Sequence, residues 1–143
     1  MRCRMGETLI VDRQRKTLLI VDDEPKICEM LSRFFSSRGF RIVTATSGQR
    51  AIEILTHEPP DYLLLDIRMP DVSGLDVLKM AKSYCPNVKV VMVTAIDDQE
   101  VADTAFRLGA TDYITKPFEL DETSWARAFF ADDTPAPPPV EPW

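Results

Sequence analysis

Five short apolar runs recur along this chain, and a segment with helical spacing separates each from the next. The runs are TLLIVD (17–22), FRIVTA (40–45), DYLLLD (61–66), VKVVMVTA (88–95) and TDYITKPF (111–118), all too short to be helices and rich in residues that favour strands. Between them apolar side chains return every three or four residues. Ile27, Met30, Leu31, Phe34 and Phe35 follow the first run, and Ala51, Ile52 and Leu55 follow the second. Leu75, Leu78 and Ala81 follow the third, and Val101, Ala105 and Leu108 the fourth. The punctuation agrees: Pro25 suits a first helical turn, Gly39 and Gly109 suit helix C-termini, and Ser47 and either Asp97 or Asp98 can cap. The third helix is expected over Gly74 to Tyr84, before Pro86.

Strands alternating with helices imply a parallel sheet covered on both faces, because right-handed crossovers lay each helix on one face or the other. For five strands the expected fold is α/β and doubly wound, in the flavodoxin-like order 2-1-3-4-5, which makes the first and third strands neighbours. At 143 residues and 45% apolar content the chain suits one domain with one continuous core, expected over residues 17–131. The weak point is the last helix, from about residue 119. In LDETSWARAFFADD, Thr123 and Ser124 stand where aliphatic residues would help, and Trp125, Phe129 and Phe130 form no clean stripe. Exposure of those aromatics would favour self-association as a homodimer.

Residues 1–16 are expected to be either a disordered arm or an added edge strand. Their TLIVD (8–12) nearly repeats TLLIVD but lacks the acid pair and proline that follow the second copy. Residues 132–143 are Pro-rich, with an extended or disordered tail as the expectation. The formal net charge of −6 argues against direct nucleic-acid contact, which draws on clustered Lys and Arg. Cys3, Cys28 and Cys85 form no CxxC or CxxH spacing, and the single His57 reads as a helix-end residue rather than a zinc ligand. The N-terminal MRCRMGETLIVDRQRK resembles neither a signal peptide nor a membrane span, so a cytoplasmic protein with no membrane contact is expected.

In such a sheet, ligands bind beyond the carboxyl ends of the strands at the switch point. The residues ending the runs are Asp22 and Asp23, Asp66, Thr94 and Lys116. Asp66 closes the apolar run YLLL, where an unpaired charge would be costly. Two unit charges about 5 Å apart at an effective dielectric of about 20 repel by about 3 kcal/mol, so three such pairs approach the whole stability of a domain, about 5 to 15 kcal/mol. A proton or a cation must intervene. Carboxylates with a backbone carbonyl and waters suit Mg2+, and Lys116 adds a positive charge. No GxSxG, CxxC or glycine-rich phosphate loop is present, whereas an aspartate can itself attack phosphorus. Asp66 is therefore the candidate acceptor, with Lys116 and the Thr94 hydroxyl stabilising charge on the transferred group.

LLIVDDEP, LLLDIRMPDVSG, VVMVTA and DYITKPF resemble, in order and at matching intervals, the receiver domain of two-component response regulators, over about Thr17 to Leu120. The resemblance implies a phosphoprotein of a two-component phosphorelay, whose Asp66 is phosphorylated by a sensor histidine kinase or by small phosphodonors. It implies Mg2+ held by Asp23, Asp66 and the backbone carbonyl of Arg68, with Asp22 acting through water. Thr94 and Tyr113 would be the switch pair, and the Lys116–Pro117 bond would be cis. The implied output is a downstream protein target or an output domain outside this sequence. The expected chemistry is only Mg2+-dependent self-phosphorylation and slow self-dephosphorylation, so the protein is not read as an enzyme. The resemblance implies that the side chains two positions after Asp66 and two after Thr94 set water access; here they are Arg68 and Ile96, which orient an attacking water poorly, so a lifetime of minutes or longer is expected. An aspartate-nucleophile phosphatase would need an acid where Arg68 stands, and a flavin carrier a Ser/Thr/Gly loop in place of DDEPK. A phosphorylation-independent adaptor on the same fold is the alternative.

Overall fold

The computed structural model describes residues 15–118 together with Leu120 and Trp125. Strand β1 (Thr17–Val21) leads into α1 (Pro25–Ser36), then β2 (Arg41–Ala45) and α2 (Gly48–His57). They are followed by β3 (Tyr62–Leu65), α3 (Gly74–Tyr84), β4 (Lys89–Thr94), α4 (Gln99–Arg107) and β5 (Asp112–Thr115). All pairings are parallel and the order is β2-β1-β3-β4-β5, as expected from the strand and helix alternation.

Alternation along the strands decides which helix covers which face, since successive side chains point to opposite sides. Leu19, Val21, Leu63, Leu65, Val90 and Met92 face one way and meet α2, α3 and α4 through residues such as Leu55, Leu78 and Ala105. Leu18, Ile20, Tyr62, Leu64, Val91 and Val93 face the other way and meet α1. The three central strands are thus buried on both sides, which is why they read as continuous apolar runs. In α1 the buried positions are Cys28, Leu31 and Phe35, while Met30, part of the same periodic set, is 38% exposed.

The helix ends follow the expected chemistry. Ser47 accepts from the Arg50 amide at 3.1 Å, and of the two candidate acids it is Asp98 that caps α4, accepting from Glu100 at 2.9 Å. Gly39, at φ +97°, reverses the chain after α1 so that the Phe40 amide donates to the Phe35 carbonyl. The Lys116–Pro117 bond is cis, as the resemblance implied.

One expectation is corrected. Trp125 is only 1% exposed, packed edge-on against Phe35 and Phe118 with centroids 5.2 and 5.5 Å away, so it is not a free aromatic for self-association. Its indole fills the α1 face of the sheet, a long-range contact that helical periodicity cannot reveal. Phe129 and Phe130, the rest of the proposed last helix, the arm up to residue 14 and the tail from 132 lie outside the described residues. Among the described residues no helix is long and apolar enough to cross a membrane.

Candidate functional site

Parallel register builds the site. Val21 pairs with Leu65, so the next residue on each strand, Asp22 and Asp66, emerges side by side at the carboxyl edge. The backbone is pinned on both: the Asp66 amide donates to the Val21 carbonyl at 3.0 Å, and the Asp22 amide to the Ala45 carbonyl at 3.1 Å. Both carboxylates are buried, whereas Asp23 is exposed at the rim. One ligand oxygen from each of Asp22, Asp23 and Asp66 can be chosen so that all lie within 4.8 Å of one another.

Lys116 follows the end of β5, two strands from β3 and three from β1. Its Nζ donates to Asp22 Oδ2 at 2.7 Å and to Asp66 Oδ2 at 3.2 Å, and it lies 3.6 Å from Glu24 Oε1. The other oxygen of each buried acid is also engaged: the Glu24 amide donates to Asp22 Oδ1 at 2.9 Å, and the Arg68 amide to Asp66 Oδ1 at 3.2 Å. One ammonium among these acids leaves an excess of negative charge. Burial raises the Asp22 carboxyl above its ordinary 3.8, although the hydrogen bonds from Lys116 and the Glu24 amide oppose it. For Lys116 burial disfavours the charge, but the bond to Asp22 and the field of Asp66 prevail and hold the ammonium above its ordinary 10.5.

Thr94 ends β4 fully buried, and Tyr113 stands on the neighbouring β5. A single backbone unit joins them: the Ile96 amide donates to Thr94 Oγ1 at 3.4 Å, and the Tyr113 hydroxyl donates to the Ile96 carbonyl at 2.8 Å. Burial raises the Tyr113 phenol above its ordinary 10.0, helped by the charges of Asp97, Asp98 and Asp66. Asp22, Asp23, Asp66 and Lys116 are therefore brought together directly, Arg68 contributes its backbone beside Asp66, and Tyr113 reaches Thr94 only through Ile96.

Sequence reasoning missed three supporting residues. Glu24 is a third acid near Lys116, and its place directly after Asp22-Asp23 was the available signal. Asp71 holds the loop after β3 against α2, accepting from the Gly48 and Gln49 amides at 3.0 and 2.9 Å. Those bonds lower its carboxyl below the ordinary value. Gly74 lets the start of α3 press on the acceptor: a Cβ there would lie 2.0 Å from the Asp66 carbonyl oxygen and 2.6 Å from Ile67 Cα. The small residue in MPDVSG marked the position, but only the fold shows what it touches.

The chemistry of the donor set fits a hard divalent cation. Three carboxylates with one ammonium supply oxygen ligands and uncompensated negative charge, and two of the acids are too buried for bulk water to stabilise them.

Comparison with known proteins agrees with this geometry. A family model described as the response regulator receiver domain matches residues 18–125. The chain is 41% identical to the probable transcriptional regulatory protein TcrX of Mycobacterium tuberculosis over 111 residues, 78% of this chain and 47% of that protein. It is 35% identical to sporulation initiation phosphotransferase F of Bacillus subtilis over 105 residues, 73% of this chain and 85% of that one. The beryllofluoride-activated receiver domain of DrrB from Thermotoga maritima superposes with a TM-score of 0.73 at 30% identity, covering 80% of this chain and 94% of that one. The chain thus spans about half of TcrX and most of the phosphotransferase.

Proposed function

The chain belongs to the response regulator receiver domain family of two-component systems, and on that premise we propose that Asp66 is its phosphoacceptor and Mg2+ its metal. The observation that carries this is the Lys116 ammonium bonded at once to Asp22 and Asp66, with Asp23 completing the acidic cluster. Asp23, Asp66 and the Arg68 carbonyl would hold the ion, with Asp22 acting through water. When bound, the ion neutralises charge on the phosphoryl oxygens and the attacking carboxylate.

An Asp66 carboxylate oxygen attacks phosphorus, the new P–O bond forms as the P–N bond to a phosphohistidine breaks, and the electron pair leaves on the imidazole nitrogen. A small acyl phosphate would serve equally, with a carboxylate leaving. Lys116, already aimed at Asp66 Oδ2, is placed to pair with the new negative charge, and the Thr94 hydroxyl to donate to a phosphoryl oxygen. Drawing Thr94 toward that group would loosen its bond from the Ile96 amide, and with it the loop that holds the Tyr113 hydroxyl. The phosphoryl group so biases a pre-existing equilibrium between two arrangements of the β4–α4 loop and β5. The donor is a sensor histidine kinase in the cytoplasm, and the output a protein partner or an attached domain. Only Mg2+-dependent self-phosphorylation from a phosphodonor and slow self-dephosphorylation by water are catalysed.

The test is intact mass after acetyl phosphate with Mg2+. One phosphoryl group should be gained by the native chain and none by Asp66→Asn or in excess chelator. Uptake unchanged by Asp66→Asn would refute the assignment. If neither chain takes up phosphate and beryllofluoride with Mg2+ leaves the NMR spectrum unmoved, the adaptor reading replaces it.

A further inference from the structure

The carboxylate of Asp66 and the carbonyl of Arg68 stand at the head of the loop that joins β3 to α3, and hydrogen bonds fix that loop at both ends and in its middle. At its start the Asp66 amide donates to the Val21 carbonyl at 3.0 Å, and at its end the Gly74 amide donates back to the Ile67 carbonyl at 2.8 Å. Between them Asp71 reaches across to α2. Its Oδ1 accepts from the Gly48 amide at 3.0 Å and its Oδ2 from the Gln49 amide at 2.9 Å. These amides open the helix and have no partner within it, while the next one, of Arg50, is taken by Ser47 Oγ at 3.1 Å. A carboxylate across two amides at the positive end of a helix is a charge-assisted clasp with a fixed direction. Asp71 is exposed, but Gly48 is buried, and a Cβ on it would lie 2.7 Å from Val72 Cβ. The start of α2 is thus pressed against the residue that follows the clasp.

The clasp closes a circuit that runs through both buried acids. The Asp22 amide donates to the carbonyl of Ala45, which ends β2, and α2 begins soon after at Gly48. The ends of β1 and β2, the start of α2, the loop and the end of β3 are therefore joined in a ring, with Asp71 linking α2 to the loop. Arg68 lies on the arc between Asp66 and Asp71, and its amide donates to Asp66 Oδ1 at 3.2 Å. A turn of that arc moves the Arg68 carbonyl and the Asp66 carboxylate together. We propose that Asp71 is a positioning residue for the metal, which through the loop holds the Arg68 carbonyl and the Asp66 carboxylate in the orientation that Mg2+ requires. The inference rests on Asp66 being the phosphoacceptor and Mg2+ its metal. Such bracing suits this ion, because Mg2+ demands near-ideal octahedral geometry and a backbone carbonyl can be aimed only by the loop that carries it. Were Asp71 no more than a cap for α2, Ser47 would be its equal, since it serves the same helical turn from within its own segment.

The experiment is an Mg2+ titration followed by amide NMR of the full chain, native and as Asp71→Ala, Asp71→Asn and Ser47→Ala. The Trp125 indole signal reports that each is folded, and if Asp71→Ala does not fold, Asp71→Asn carries the comparison. In chelator, the amides of residues 67–70 should already be displaced in Asp71→Ala and stay in place in Ser47→Ala. Asp71→Ala should raise the Mg2+ dissociation constant about tenfold, the low end for groups that orient metal ligands from behind, and Ser47→Ala by less than about twofold. Asp71→Asn, which keeps one acceptor oxygen, should fall between. The Mg2+ needed for half-maximal phosphoryl uptake from acetyl phosphate should rise by the same factors, and added Mg2+ should make good the loss. Native Mg2+ affinity in Asp71→Ala would overturn the proposal while leaving the site intact. Equal losses in Asp71→Ala and Ser47→Ala would reduce Asp71 to a helix cap. A native chain whose amides at residues 22, 23 and 66–68 ignore Mg2+ would overturn the metal site itself, and this inference with it.

Discussion

Replacing Gly74 by alanine tests how tightly α3 packs on the acceptor segment. The added Cβ would lie 2.0 Å from the Asp66 carbonyl oxygen, about 1.4 Å short of the 3.4 Å at which ordinary contact begins, and 2.6 Å from Ile67 Cα. Both obstacles are backbone, so no rotamer change relieves them. Either α3 retreats and gives up the 2.8 Å bond from the Gly74 amide to the Ile67 carbonyl, or the Asp66–Arg68 segment moves. Overpacking costs about 1 to 3 kcal/mol and a lost hydrogen bond about 0.5 to 1.5, so urea unfolding should show a loss of about 2 to 4 kcal/mol. Phosphoryl uptake from acetyl phosphate should fall with it, because the displaced segment carries Asp66. Gly39→Ala is the control. It meets nothing within 4 Å, and only its φ of +97° is unfavourable, so it should cost about 1 to 2 kcal/mol and leave uptake intact. If Gly74→Ala is within about 0.5 kcal/mol of the native chain and phosphorylates normally, the close-approach reasoning fails.

Lys116→Met strands two buried acids. In chelator it should lose about 3 to 5 kcal/mol, as when one member of a buried ion pair is removed, and Mg2+ should restore part of this in thermal melts; equal losses with and without Mg2+ would count against a metal at these acids. Burial of Cys28, whose thiol faces the Asp22 carbonyl at 3.3 Å, pushes it from an ordinary 9.0 to about 11. Between those values the unfolded chain binds fewer protons than the folded one, so stability is intact below about pH 9 and falls as pH rises toward about 11. Cys28→Ala should flatten that slope in urea titrations, and an unchanged slope would reject the assignment. For the phosphorylated protein, Arg68, two positions after the acceptor, and Ile96, two positions after Thr94, lead to an expected lifetime of minutes or longer in Mg2+, read by intact mass over time; decay within seconds would reject it.

The amino-acid sequence by itself determined the strands, the four described helices and their order, because each signal is local. Alternating apolar runs, Ser47 as a cap, Pro25 in a first turn and Gly39 after a helix act over a few residues, and handedness leaves few ways to connect them. It also brought Asp22, Asp23, Asp66 and Lys116 into one group, since strand order sets which ends are neighbours. Only the tertiary structure decided what depends on distance between segments far apart in the chain. Asp71 holding α2 from another loop, the absence of room for a Cβ at Gly74, and Ile96 joining Thr94 to Tyr113 have no local pattern. The burial of Trp125 against Phe35 and Phe118 is of the same kind. A periodic sequence tells which side of an element is apolar; what meets that side is settled by packing, where a shift of an ångström changes the energy by kilocalories.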